Sequence, residues 1–242
     1  MGRQVVVTRA EPGASKTSGH LERAGFEVLN IPAIELVFHD SSGFLPPGPL
    51  DVCLFTSANG VKAAARAGWS SGRTAYCVGQ ATRNAAVDAG WYPVESADGD
   101  ADALVGFILS RFEPETAPGF VHIANDAAAG QIVDRLNACG YAARFVPAYG
   151  SQPIAKANLQ PELAKVRPGA ALLVHSAKGA EAVQVWCEQG SIPTSEMILV
   201  GLSDRAVRPL LDTPFLVRAV AAHPNEEELI KTLHSVAEPG VT

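Results

Sequence analysis

The stretch Leu50-Asp-Val-Cys-Leu-Phe-Thr-Ser-Ala-Asn-Gly-Val61 confines this chain to few architectures. Residues 52–55 are a short apolar run of the kind buried on both faces of a parallel sheet, and Thr56, Ser57 and Asn59 stop it. The alanine-rich residues 61–67 then favour helix, and Gly68 suits its end, where a left-handed residue closes the last turn. The scheme returns in Ala170-Ala-Leu-Leu-Val-His-Ser-Ala-Lys-Gly-Ala180: an apolar run, a serine at the break (Ser57, Ser176), a glycine three residues on (Gly60, Gly179), and a helix ending at Gly190. Two such units suggest a duplication.

The rest of the chain alternates in the same way. Strands are predicted at residues 4–8, 26–31, 74–78, 91–94, 119–123, 142–146, 170–174 and 197–200. Helices are predicted at 14–24, 82–89, 104–111, 127–139, 159–166, 180–189, 203–211 and 226–236, with Asp102 as the cap of the helix that starts at Leu104. Residues 39–49, rich in Ser, Gly and Pro, form a first candidate linker, and the extended stretch 147–153 a second. Strand and helix alternating throughout argue for an α/β fold with parallel sheets covered by helices on both faces.

Residues 5–36 resemble 120–152: each has strand, loop, helix, a Gly-aromatic pair (Gly25-Phe26, Gly140-Tyr141), strand, Pro-Ala and an extended tail. Residues 50–111 resemble 170–236. Four pieces therefore occur in the order a, b, a′, b′. If the two Pro-Ala tails lie side by side as crossing linkers, the middle pieces form one domain and the terminal pieces the other. The residues alone equally permit a halving near residue 115.

Composition narrows the function. With 47% hydrophobic and 18% charged residues the chain is suited to a globular core, and a net charge of −6 without a basic tract speaks against a nucleic-acid surface. No apolar run is long enough to span a bilayer, and residues 4–7 are too short for a signal sequence, so no membrane association and a cytoplasmic location are expected. Cys53, Cys77, Cys139 and Cys187 lack metal-ligand spacing, and the six histidines form no H-x-x-x-H pair, so no metal is expected.

Val-Val-Val-Thr8-Arg9, Gly25-Phe-Glu-Val with Ile-Pro32-Ala-Ile-Glu35, Phe55-Thr-Ser-Ala-Asn-Gly-Val61, Val78-Gly-Gln-Ala-Thr82 with Ala89-Gly90, and Gly140-Tyr with Val-Pro-Ala-Tyr149 together resemble the uroporphyrinogen-III synthase family over nearly the whole chain. The resemblance implies two α/β domains, each a flavodoxin-like, three-layer parallel sheet flanked by helices, joined by a two-stranded connector. It selects the nested arrangement: residues 1–36 with 153–242 as a terminal domain, and 37–152 as an inserted one, with connector segments near 33–48 and 146–153. It also implies an active site in the cleft between domains, so that the breaks at Ser57 and Ser176 would face each other. The implied reaction is dehydration and ring closure of the linear tetrapyrrole hydroxymethylbilane, with inversion of the fourth pyrrole ring and no cofactor. A monomer is expected, with transient contact with the preceding pathway enzyme as a further possibility.

The substrate carries eight carboxylates while the protein is acidic, so overall charge does not capture it. Loops that follow parallel strands and open helices offer another means, because free backbone N–H groups and the helix dipole favour anions there. Arg9, Ser57, Asn59, Thr82, Asn125, Ser176, Lys178 and Ser203 are the candidate substrate-binding residues in these loops. Capping alone also accounts for Ser57, Thr82, Ser176 and Ser203. His175 reads as a polar group beside a helix start rather than a catalyst.

The chemistry needs a proton donor near the leaving hydroxyl, while the pyrrole nitrogen supplies the push; the rest is positioning. The resemblance points to Tyr149 for that role, since a phenol keeps its proton at neutral pH; the competing role is packing in the connector. Two departures from the family pattern stand out. Gly201-Leu-Ser-Asp204 replaces Gly-Pro-Thr-Thr, and Ala124-Asn-Asp-Ala127 lacks the arginine common after that strand. A first-turn or capping role would reconcile Asp204 with a carboxylate site. The rival readings are a two-domain cleft protein that binds an anionic ligand without chemistry, and a non-catalytic regulatory module.

Overall fold

The computed structural model describes residues 2–70, 72–130 and 132–237. In chain order the elements are β1 (Gln4–Val7), α1 (Gly13–Arg23), β2 (Glu27–Asn30), β3 (Ile34–Phe38), β4 (Val52–Phe55), α2 (Ala58–Arg66), β5 (Ala75–Cys77), α3 (Gln80–Asp88), β6 (Val94–Ser96), α4 (Ala101–Leu109), β7 (Phe120–Asn125), α5 (Val133–Ala138), β8 (Ala143–Pro153), α6 (Gln160–Leu163), β9 (Ala171–Val174), α7 (Ala177–Glu188), β10 (Ile198–Gly201), α8 (Asp204–Val207), β11 (Val217–Val220) and α9 (Glu226–Ala237). The chain divides into two compact units, residues 1–36 with 151–242 and residues 37–150.

The sheet of the first unit runs β11-β10-β9-β1-β2 with all its pairings parallel. Its central strands β1, β9 and β10 are buried throughout and read as largely apolar runs because both faces are covered, whereas the edge strands β2 and β11 are partly exposed. Val6, Leu172 and Leu199 face a core with Val183 and Trp186 of α7. Their neighbours Val5, Val7, Leu173 and Val200 face the other side, against Leu21 of α1 and Leu229 and Leu233 of α9. Each fully buried Val or Leu contributes about 1.5–3 kcal/mol relative to exposure, so this two-sided coverage is the main reason the sheet forms.

The second sheet runs β3-β8-β7-β4-β5-β6, and its β7/β8, β4/β7, β4/β5 and β5/β6 pairings are parallel. Leu54, Tyr76 and Phe120 pack there with Leu104 and Ile108 of α4 and Leu136 of α5. With β1 or β7 counted as the first strand, and the edge strand β3 of the six-stranded second sheet left aside, both orders become 2-1-3-4-5, the flavodoxin-like order. The second sheet is the first one entered at a different point of the chain: pieces a and b′ build one, and b and a′ build the other. The strands on which the chain passes between units, β3 and β8, are adjacent in the sheet.

Several elements differ from expectation. The strand expected at 91–94 is β6, at Val94–Ser96, because Trp91 is buried as a side chain against Phe55 and Tyr92-Pro93 supplies one donor fewer. Asp100, not Asp102, caps α4: its carboxylate accepts from Asp102 N and Ala103 N, and Asp102 sits in the first turn. The helix expected over 127–139 is a 3-10 turn, Asp126–Ala128, then α5, with Gly130 at φ 86° between them; Gln131 lies outside the described residues. The helix expected over 159–166 shrinks to α6 after a 3-10 turn, and that over 203–211 to α8 and a 3-10 turn in which Pro209 has no N–H to donate. Strand β11 was not expected, since Arg218 interrupts a half-exposed edge run. Residues 238–242 of the expected terminal domain lie outside the described residues.

Candidate functional site

In each sheet the order reverses once, between β1 and β9 in the first unit and between β4 and β7 in the second. Loops leaving neighbouring strands diverge at such a switch point and open a crevice beyond the carboxyl ends. Ser57 and Asn59 follow β4, and Asn125 ends β7, so these three border the switch of the second unit. Arg9 follows β1, and Ser176 and Lys178 follow β9, bordering the switch of the first. Thr82 and Ser203 follow β5 and β10, one strand further out.

In the second unit, Ser57 adopts extended backbone and caps α2, its Oγ accepting from Gly60 N at 3.4 Å. Gly60 allows the helix to start this close to the sheet: a Cβ there would lie 2.4 Å from Ile123 O at the end of β7. The same Ser57 Oγ lies 2.7 Å from Tyr149 Oη, a hydrogen bond in which either hydroxyl donates. Tyr149 pairs with Asn125 just past a register shift between Ala124 and Asn125, and its ring lies 6.2 Å from that of Phe38. Asn125 Oδ1 accepts from Ala127 N at 2.9 Å, so its amide N–H groups are the ones turned to other partners. Ser57, Asn125 and Tyr149 are thus gathered at one place. Tyr149 is 6% exposed as a residue, and its hydroxyl bond to Ser57 is part-buried.

Thr82 is not a cap. Gly79 occupies that position and supplies no side chain, and Thr82 is buried in the first turn of α3. The turn therefore keeps backbone donors that no side chain satisfies. Beside it, Gln80 Nε2 donates to Asp98 Oδ1 at 2.7 Å.

In the first unit, Ser176 caps α7 by accepting from Gly179 N at 3.1 Å, and Lys178 is exposed in the first turn. Ser203 caps α8, accepting from Ala206 N at 3.3 Å, and Asp204 is exposed in the first turn, where a carboxylate complements the helix dipole. Arg9 has an internal partner: Nη1 donates to Glu226 Oε2 at 3.1 Å and to Thr17 Oγ1 at 3.2 Å. His175 Nε2 lies 3.7 Å from the same carboxylate oxygen, an ion-pair rather than a hydrogen-bond distance. Burial pushes the Glu226 carboxyl up, but His175, Thr17 and Arg9 together overcome it and hold it at about 2.

Two groups escaped the sequence reading. Glu226, at the first turn of α9, is the counter-ion of Arg9 across 217 residues of chain, which no local pattern signals. His122 lies inside β7, 1% exposed, with Nε2 3.4 Å from Thr56 Oγ1, and burial pushes it down to about 4. A histidine inside an apolar strand run was its only sequence signal. The Cys53, Cys77 and Cys187 thiols are each pushed up to about 12, chiefly by burial, which leaves them poor nucleophiles.

The chain matches the family model described as uroporphyrinogen-III synthase HemD over residues 15–231. The chain belongs to the uroporphyrinogen-III synthase family. It is accordingly an enzyme-family member of haem biosynthesis, with a tetrapyrrole as its small-molecule substrate. Among solved structures, uroporphyrinogen-III synthetase from Helicobacter pylori is similar at 13% identity with a TM-score of 0.61, over 98% of this chain and 100% of that one, a likeness of fold. A mutant uroporphyrinogen III synthase from Thermus thermophilus matches at 15% identity over 96% of this chain and 98% of that one, with a TM-score of 0.45. None of the curated proteins compared with the chain matches it. Among the described residues, no helix is long and apolar enough to cross a membrane.

Proposed function

We propose that this chain is a working uroporphyrinogen-III synthase: a hydro-lyase that releases water from hydroxymethylbilane and closes the ring with the fourth pyrrole inverted. The family match over residues 15–231 carries this reading. Loss of the hydroxyl as water, pushed by the pyrrole nitrogen, leaves an electrophilic carbon. The substituted carbon of the fourth ring attacks it, and the resulting spiro intermediate fragments and recloses.

In this reading Tyr149 gives a proton to the departing oxygen, with Ser57 holding the phenol in place through the 2.7 Å contact. The substrate carboxylates meet helix N-termini and the side chains beside them: Ser57, Asn59, Thr82 and Asn125 in the second unit, Ser176, Lys178 and Ser203 in the first. Arg9 contributes only to the extent that Glu226 releases it. In the same reading the two compact units are the terminal and inserted domains, and the enzyme works as a cytoplasmic monomer without a cofactor.

A second reading, a relative that binds an acidic ligand without turnover, takes support from the Arg9–Glu226 pair and from Asp204. Freshly generated hydroxymethylbilane, incubated with the purified protein and oxidised for isomer analysis, separates the two. Uroporphyrin III in excess over the uncatalysed background supports the synthase; uroporphyrin I alone refutes it.

A further inference from the structure

We propose that Lys62 and Arg66, on the outward face of α2, bind carboxylate arms of the acidic substrate. The inference rests on the synthase reading above and adds two residues to its site. Helix α2 has the sequence Ala-Asn-Gly-Val-Lys-Ala-Ala-Ala-Arg, with Gly60, Val61, Ala63 and Ala64 buried and Lys62 and Arg66 exposed. At about 100° per residue, Asn59, Lys62 and Arg66 fall on one stripe and span roughly 10 Å along the axis.

That stripe is costly for the helix alone. Two cations at i and i+4 repel by a few tenths of a kcal/mol, and α2 carries no acidic residue to offset them. Among the described residues, no carboxylate pairs with either one, so both charges are open to a ligand. The helix dipole favours Arg66 in the last turn but gives Lys62 no such support.

Arg66 is also held in place. Its guanidinium carbon stands 4.6 Å from the centre of the Phe38 ring, and Phe38 in turn packs against Tyr149. A cavity of about 330 Å³ opens there, lined by Phe38, His39, Asp40, Ser41, Ala63 and Arg66. Asp40 is the anion in this lining, and both of its oxygens are turned to its own loop: Oδ1 accepts from Ser42 N and Oδ2 from Ser42 Oγ. His39 Nε2 is directed to Asp126 at 3.8 Å. The fixed, unpaired guanidinium is therefore the group on this wall suited to an incoming carboxylate, as a planar donor fork recognises it. A substrate with eight carboxylates needs several such contacts, and these lie on the same helix whose N-terminus holds Ser57.

The test is steady-state kinetics of the full chain with hydroxymethylbilane for Lys62→Gln, Arg66→Gln, the double variant and Arg66→Lys. Each single Gln variant should raise KM about fivefold with kcat within about twofold, because binding common to substrate and transition state is lost. The double variant should multiply the two effects, and Arg66→Lys should recover only part of the loss, because an ammonium keeps the charge but not the planar, stacked donor fork. Thermal midpoints should stay close to the wild type, since both side chains are exposed. An unchanged KM in both single variants, or a fall in kcat at constant KM, overturns the proposal. If the wild type forms only isomer I, the synthase reading fails, and titration with the octacarboxylate uroporphyrin III decides this proposal separately: weaker binding by Arg66→Gln upholds it, and equal binding overturns it.

Discussion

Removing the Tyr149 hydroxyl separates chemistry from packing. In Tyr149→Phe the ring stays against Phe38, and only the 2.7 Å contact with Ser57 is lost. A neutral hydrogen bond of this kind contributes about 1 kcal/mol net. Ser57 keeps its acceptor role towards Gly60 N, so the capping of α2 persists and the thermal midpoint should fall by only about 2–4 °C. If Tyr149 protonates the leaving hydroxyl, turnover should drop by about 10²–10⁴-fold, the usual contribution of a general acid. Ser57→Ala is the matched control. It removes the cap, at about 1 kcal/mol, and frees the phenol without deleting it, so turnover should fall less than about tenfold while stability falls at least as much. Stopped assays of both variants, with product isomers resolved and unfolding followed by circular dichroism, give the comparison. Wild-type turnover in Tyr149→Phe refutes the acid role. Equal losses of turnover in the two variants, tracking equal losses of stability, would make Tyr149 a packing residue.

Three further outcomes follow from Glu226, His122 and Gly60. Glu226 sits at about 2 in the fold against an ordinary 4.5, so its contribution to stability is complete above about 4.5 and is lost as pH falls towards 2; Glu226→Gln should flatten the unfolding profile in that window, and an unchanged slope would contradict the assignment. His122 is pushed down from 6.5 to about 4, so the fold favours its neutral form and stability should decline as pH falls from 6.5 to about 4; His122→Phe should remove that decline in chemical denaturation, and a persistent slope would place its origin elsewhere. Gly60→Ala should destabilise by roughly 1–3 kcal/mol, because its Cβ would sit 2.4 Å from Ile123 O and the start of α2 must shift; a neutral effect would show that this close approach is soft.

The alternation of strand and helix was legible because the central strands are buried on both faces and so read as unbroken apolar runs, and because Gly25, Gly68, Gly90, Gly140 and Gly190, each at positive φ, mark the helix ends. The serine breaks were legible too, and Ser57, Ser176 and Ser203 cap their helices. Edge and short elements were less so: β11 is a half-exposed four-residue strand, and α8 yields to a 3-10 turn within four residues. The capping role of Asp100 was displaced by two residues because several acidic residues there satisfy the same local rule. Partnerships across the chain were not legible at all. Arg9 looked like a ligand from its loop, and its pairing with Glu226 arises only when α9 packs on the sheet.

The inversion of the fourth ring is the central claim, and isotopic bonding reports it most directly. Hydroxymethylbilane would carry ¹³C at both the hydroxymethyl carbon and the substituted α-carbon of the fourth ring, and the enzymatic product would be examined by ¹³C NMR. Attack through the substituted carbon joins the two labels, so the account predicts one-bond ¹³C–¹³C coupling in the product. Product formed only with the labels unbonded, as in uncatalysed closure, would contradict it.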